Sequence, residues 1–264
     1  MNTARPATPA GQLSSVGSAL RLLKIFTAEE PAIGITAISR HLGVAKSTAH
    51  RLASTLVAEG FLEQDPVDGR YRLGLQLFAM GTLVRRRMDV SEQGAPHLHQ
   101  LGEQSGETVH LAVMLGHDIL YLRNIESQHA IRPRSYLGVC KPAYCTSEGR
   151  ALLAFAPPLQ LAEVLRAGLS PRTPHTVTDK TALTRLLAQV RETGYAVDDE
   201  ESELGMRGLA APIFDAAGNA VAAVGLVGPV QRFTRQAQRQ FVPMVLQAAS
   251  AISARLGYPG ALVA

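Results

Sequence analysis

Five side chains between positions 46 and 51 have the types and spacing for chemistry on a polyanion: Lys46, Ser47, Thr48, His50 and Arg51. Hydroxyls bond phosphate oxygens and an ammonium neutralises them, while an arginine fork matches the paired acceptors of guanine in a major groove. On a helix over residues 45–59, taken at about 100° per position, Ala49, Leu52, Ala53, Leu56 and Val57 share one stripe. Ser47, Thr48, His50, Arg51, Ser54 and Thr55 lie opposite, with no acid before Glu59. Such a face is usually just solvated, so the surrounding elements decide.

Those elements fit a helix-turn-helix. The stretch GITAISRHLGVAKSTAHR reads as two short helices joined at Gly43-Val44, with Thr36 as the expected N-cap of the first and Ala37, Ile38 and Leu42 facing inward. Upstream, Val16, Ala19, Leu20, Leu23 and Phe26 repeat at helical spacing and supply a third helix for one core. Gly60 is placed as the residue that ends the second helix. Residues 61–64 and 70–73 then flank Asp65-Pro66-Val67-Asp68-Gly69 as a two-stranded wing carrying Arg70 and Arg72. The expected organisation is a disordered tail over residues 1–13, a winged helix-turn-helix over 14–74, a linker helix over 75–90 and a further domain over 91–264. Arg85-Arg86-Arg87 at the linker's end either complement the helix dipole or touch phosphate.

The charge distribution agrees with a polyanion-binding end. Residues 1–87 hold 11 Lys and Arg against 6 acids, whereas residues 88–264 hold 15 against 16, although the chain as a whole is only +4. A difference this small also arises by chance. A length of 264 residues with 46% hydrophobic content supports two domains with real cores. There is no apolar run of transmembrane length and no signal peptide, so a soluble, cytoplasmic protein with no membrane partner is expected. Two cysteines, Cys140 and Cys145, do not make a disulfide framework.

The C-terminal part alternates strands and helices. Residues 107–115 and 119–125 form a hairpin; residues 139–144 are extended, and helices over 147–156, 159–167 and 181–192 follow. A strand starts at Tyr195, residues 209–214 pair with 221–227, and a helix over 234–256 closes the chain, with Pro243 expected to kink it. The fold class is α+β, the second domain being an antiparallel or mixed sheet with helices against its face.

Within it, the segment from Pro142 through Tyr144, Thr146, Ser147 and Glu148 runs from extended chain into a helix start. Free N–H groups there favour a carboxylate. Ser147 lies in Thr-Ser-Glu-Gly-Arg, which is not a nucleophile elbow, and is expected to cap the helix. The run Asp198-Asp199-Glu200-Glu201 with Glu203 lacks paired His or Cys ligands and reads as a solvated loop. Cys140 and Cys145 with His129 or His175 make a poor zinc set, and His110 on a strand reads as a packed histidine. No catalytic residue, metal or cofactor is therefore expected. The alternative is a small-molecule enzyme with a winged-helix appendage.

The runs AKSTAHRL, GFLEQDPVDGRYRLG, GETVHLAV, RALLAF, RETGYAVDDEE and LVGP, in this order and spacing, resemble the IclR family of bacterial transcriptional regulators over residues 15–257. The resemblance implies operator DNA as partner, a homodimer or tetramer, and a GAF-like effector-binding domain. It also implies a small organic acid held by Ser147, Glu148, Asp198, Met206, Gly208, Gly225 and Val227. Gly208, Gly225 and Val227 stand where members binding very small oxo acids offer small polar side chains. A roomier, less polar pocket for an aromatic or bulky acid is thus expected. PAYCTS, followed after one residue by Gly-Arg, looks most like regulators of aromatic-acid catabolism.

Overall fold

A computed structural model describes residues 14–27, 29–86 and 89–260 of the chain. The segment 1–13 and Arg87, expected above to be a tail and the end of a basic run, lie outside these. The chain divides into two compact units, 1–87 and 88–264.

The first unit begins with α1 (Ser14–Leu23), α2 (Ile35–Leu42) and α3 (Lys46–Ala58). The strands β1 (Leu62–Gln64) and β2 (Tyr71–Leu73) pair antiparallel, and α4 (Leu75–Arg86) follows. Leu22, Ile33, Ile38, Ala49, Ala53, Leu56, Leu62 and Tyr71 form its core. Two expectations fail. Val16 and Leu20 are more than half exposed, and Leu22 is the apolar α1 residue that is sealed inside. Thr36 is not the cap of α2: Gly34 holds that position with extended backbone, without a side-chain bond.

The turn between α2 and α3 is explained by Gly43, whose φ of 63° is left-handed and strained for any other residue type. The Ser39 hydroxyl closes the turn by donating to the Val44 carbonyl at 2.8 Å. Gly60, with φ of 73°, follows the C-cap of α3.

The second unit comprises α5 (Asp89–Ser105), β3 (Thr108–Leu115), β4 (Asp118–Ile125), β5 (Cys140–Pro142), α6 (Ser147–Leu153), α7 (Pro158–Ala167) and α8 (Lys180–Thr193). It ends with β6 (Ala196–Asp199), β7 (Met206–Phe214), β8 (Ala220–Pro229) and α9 (Arg235–Arg255). One six-stranded sheet in the order β5-β4-β3-β8-β7-β6 is antiparallel throughout.

Helices cover both faces of the sheet rather than one. Successive strand residues alternate between two cores, as a period of two requires. Leu209, Ala211 and Ile213 join a core with Leu98 of α5 and Val245 of α9, while Ala210 joins Leu152 of α6 and Leu183 of α8 on the other side. The helix α9 runs uninterrupted through Pro243. No helix among the described residues is long and apolar enough to cross a membrane.

Candidate nucleic-acid interface and candidate ligand pocket

On α3 the apolar stripe is turned inward, with Ala49, Ala53 and Leu56 buried. Lys46, Ser47, Thr48, His50 and Arg51 are all exposed. The helix begins at Lys46 after extended Ala45 without a side-chain cap, so its first N–H groups are open to an anion. Further along, the Thr55 hydroxyl donates to the Arg51 carbonyl at 3.0 Å. The Arg51 guanidinium itself has no ion pair among the described residues. The wing differs. Arg72 donates to Asp65 at 2.8 Å and Arg70 lies 3.8 Å from Asp68. Asp65 also accepts the N–H groups of Val67 and Asp68, and these bonds hold its carboxyl below the usual range. The wing's cations are thus partly neutralised within the loop.

In the second unit, α6 starts beside the centre of the sheet. Its cap is Thr146, not Ser147: the Thr146 Oγ1 accepts from the Gly149 N–H at 3.3 Å. The Ser147 hydroxyl donates instead to the Glu148 carboxylate at 3.0 Å. Glu148 is buried, and its other oxygen lies 3.3 Å from His110 Nδ1 on β3. Burial opposes ionisation of Glu148, but the bonds from His110 and Ser147 outweigh it and hold the carboxyl below its ordinary value.

Around this pair lies a cavity of about 20 Å³, room for roughly one water molecule. Of the residues expected at a ligand site, Thr146, Ser147, Glu148, Asp198, Met206, Gly208 and Val227 line it together. Two others do not. Tyr144 is buried with its hydroxyl on the Ser170 carbonyl, and Gly225 lies beneath Glu148 rather than on the wall.

The pocket is neither roomy nor apolar, and the glycines explain why. A Cβ on Gly208 would stand 2.6 Å from Ser147 Oγ, and one on Gly225 would stand 2.9 Å from Glu148 Oε1. The missing side chains on the strands are replaced by longer ones from α6. Glu148 therefore points into the site and meets His110.

The remaining walls come from residues the sequence did not single out for this site: His110, Tyr121, Tyr136, Lys141, Ser202 and Glu203. The ring of His110 meets Tyr121 edge-on at 4.7 Å and Tyr136 at 5.4 Å between centroids. Lys141 Nζ lies 3.7 Å from the centre of the Tyr136 ring and 3.3 Å from Glu203, which also accepts the Tyr136 hydroxyl at 2.6 Å.

The acidic run is not a solvated loop. Asp198 and Glu201 are buried; Asp198 accepts the N–H groups of Glu201 and Ser202 as well as the Ser202 hydroxyl. Burial pushes Asp198 up to about 6 against those bonds. Glu201 holds both terminal nitrogens of Arg150 in a buried fork. Cys145 is buried and Cys140 exposed.

Known proteins match both units. Residues 15–66 match the family model described as "IclR helix-turn-helix domain", and residues 82–254 match "Bacterial transcriptional regulator IclR C-terminal". The HTH-type transcriptional regulator XynR of Escherichia coli is 34% identical over 94% of this chain and 98% of its own length. A putative IclR regulator structure from Silicibacter superposes with a TM-score of 0.83 at 30% identity, over 95% of this chain and 100% of the other. An IclR homolog from Microbacterium hydrocarbonoxydans, complexed with 4-hydroxybenzoate, does so with 0.79 at 30% identity, over 92% and 99%. The curated relatives are named as regulators, which removes the enzyme alternative. With a free-faced second helix on a helix-turn-helix and a match running through both units, this chain belongs to the IclR family of bacterial transcriptional regulators and is a DNA-binding protein.

Proposed function

We propose that the second unit senses a small organic acid in the cavity at the start of α6, and that this binding adjusts the grip of the first unit on operator DNA. The observation that carries the reading is the wall of three rings, His110, Tyr121 and Tyr136, with the Lys141 ammonium over the last of them. Rings take a flat, apolar body and the ammonium donates to a carboxylate. The Microbacterium neighbour, complexed with an aromatic acid, supports an aromatic effector here. At about 20 Å³ the cavity admits such a ring only after side chains move, and Glu203 and Lys141 stand on its more exposed side.

In the first unit, Lys46, Ser47, Thr48, His50 and Arg51 are the proposed groove-facing set, with Arg70 and Arg72 adding phosphate contacts from the wing. One winged helix reads only a few base pairs, so a homodimer or a larger assembly on a pseudo-palindrome is part of the proposal. Val16 and Leu20 on α1 and Leu75, Phe78 and Leu83 on α4 are exposed apolar groups that a second copy would cover. Effector binding then shifts the population of spacings between paired DNA-binding units by way of α4.

A mobility-shift assay on the intergenic DNA beside the gene, with and without aromatic and short-chain acids, tests the whole reading. Retardation that some acid alters supports it. Retardation that no acid alters removes the sensor, and no retardation removes this operator.

A further inference from the structure

Among the described residues, three buried side-chain atoms have no hydrogen-bond partner: His110 Nε2, Asn124 Nδ2 and Asn124 Oδ1. They belong to facing residues. His110 on β3 and Asn124 on β4 are register partners, so both side chains leave the same face of the sheet. On its other side His110 is the register partner of Gly225 on β8, over which the Glu148 carboxylate lies.

The imidazole thus has a partner at Nδ1 and, among the described residues, none at Nε2. Its Nδ1 lies against a carboxylate, which only accepts, so Nδ1 carries the proton and donates. Nε2 then waits on a residue that lines the cavity and is 1% exposed. A buried polar atom calls for a hydrogen-bond partner, and a ligand group that reaches Nε2 supplies one.

A hydroxyl suits Nε2 in either protonation state, since it donates to the bare nitrogen and accepts from N–H. A ligand carboxylate suits it less. Glu148, Asp198 and Glu203 already line the same cavity, against the single ammonium of Lys141.

We propose that His110 is the hydroxyl-recognising residue of the effector site, so that the effector is a hydroxylated organic acid whose hydroxyl meets Nε2 while its carboxylate lies toward Lys141. This rests on the organic-acid reading above.

The test is calorimetry on the full chain with two matched pairs, 4-hydroxybenzoate with benzoate and lactate with propionate, joined by pyruvate as an oxo acid. In at least one pair the hydroxylated member binds tenfold or more tightly than its partner. In His110→Phe that ratio falls to about one, while His110→Gln retains part of it. A ¹⁵N shift of His110 Nε2 on adding the hydroxy acid to the unaltered protein reports the same contact without a variant. Acids that bind with no hydroxyl preference, a preference that survives in folded His110→Phe, or an unmoved Nε2 resonance on saturation overturn the assignment and leave the sensor standing. Should none of the five acids bind at millimolar concentration, the organic-acid reading falls, and this assignment with it.

Discussion

Glu148 Oε1 lies 2.9 Å from the point where a Cβ on Gly225 would stand, so the glycine on β8 is the seat of the glutamate on α6. The same space is bounded by Ala210 Cβ and the Leu209 carbonyl, each 3.1 Å from that point, so neither the sheet nor the helix has slack. Gly225→Ala should therefore lower stability by about 1–3 kcal/mol, the usual cost of overpacking. Combined with Glu148→Ala, which vacates the seat, it should cost less than the two single changes together by more than about 0.5 kcal/mol. Urea unfolding of the four proteins measures this, and strict additivity would mean that the two residues do not compete for one space.

The DNA-facing assignment separates its cations by what they already touch. Arg51→Ala should weaken operator binding by about 1–3 kcal/mol and relax base preference at one position, whereas Lys46→Ala should weaken all sequences alike and reduce the salt slope by about 1. Arg72→Ala should cost less than either, because Asp65 holds that guanidinium at 2.8 Å. Fluorescence anisotropy on operator and scrambled duplexes, at several salt concentrations, checks all three. Equal losses on both duplexes for Arg51→Ala would reduce it to a phosphate contact.

How far these features could be read beforehand follows from how local they are. The buried stripe of α3 and the turn at Gly43 depend on neighbours in sequence, and both were legible from spacing alone. The phase of α1 was not. Val16, Leu20 and Leu23 have helical spacing, yet packing turns Leu22 inward and leaves Val16 and Leu20 outside. Thr36 has the chemistry of a cap, but the chain enters α2 two residues earlier, at Gly34.

The pocket was half legible for the same reason. Its α6 and β7 residues come with recognisable runs, but His110, Tyr121, Tyr136 and Lys141 meet only through strand register and the chain between β4 and β5. The glycines misled about volume. Whether a missing Cβ opens a cavity depends on what crosses from the facing helix, and no pattern along one strand reveals that.

Asp198 gives the second unit a specific dependence on pH. Burial pushes its carboxyl up to about 6 in the folded chain, from an ordinary 3.8. Between those values the folded chain holds a proton that the unfolded chain has lost, so this group's contribution to stability declines as pH rises across the window. Two units correspond to about 3 kcal/mol at most. Asp198→Asn removes the titration, and its amide oxygen can still accept the N–H groups of Glu201 and Ser202. Relative to the unaltered protein, the variant should gain stability between about pH 4 and pH 7 by up to that amount. Glu148, shifted the opposite way, titrates in both proteins and cancels in the difference. Chemical denaturation of both proteins at several pH values decides it, and a pH-independent difference would show that Asp198 ionises normally.

Arg150 ties the start of α6 to the acidic loop through every part of its head group. Its Nε donates to the Tyr144 carbonyl at 2.8 Å, Nη1 reaches the Val197 carbonyl at 3.1 Å, and the two terminal nitrogens fork onto Glu201. Glu201 also accepts the Val177 N–H at 3.0 Å, so losing the arginine leaves a buried charge that one amide cannot satisfy. Arg150→Met should therefore destabilise by about 3–5 kcal/mol, the range for breaking one side of a buried pair. Adding Glu201→Gln should return part of that loss, because the orphaned charge is gone while an acceptor for Val177 remains. Arg150→Lys should stay close to Met, since a single ammonium cannot serve acceptors set out for a planar fork. Urea unfolding ranks the four proteins. A lysine variant as stable as the unaltered chain would show that charge alone holds this corner and that the fork geometry is incidental.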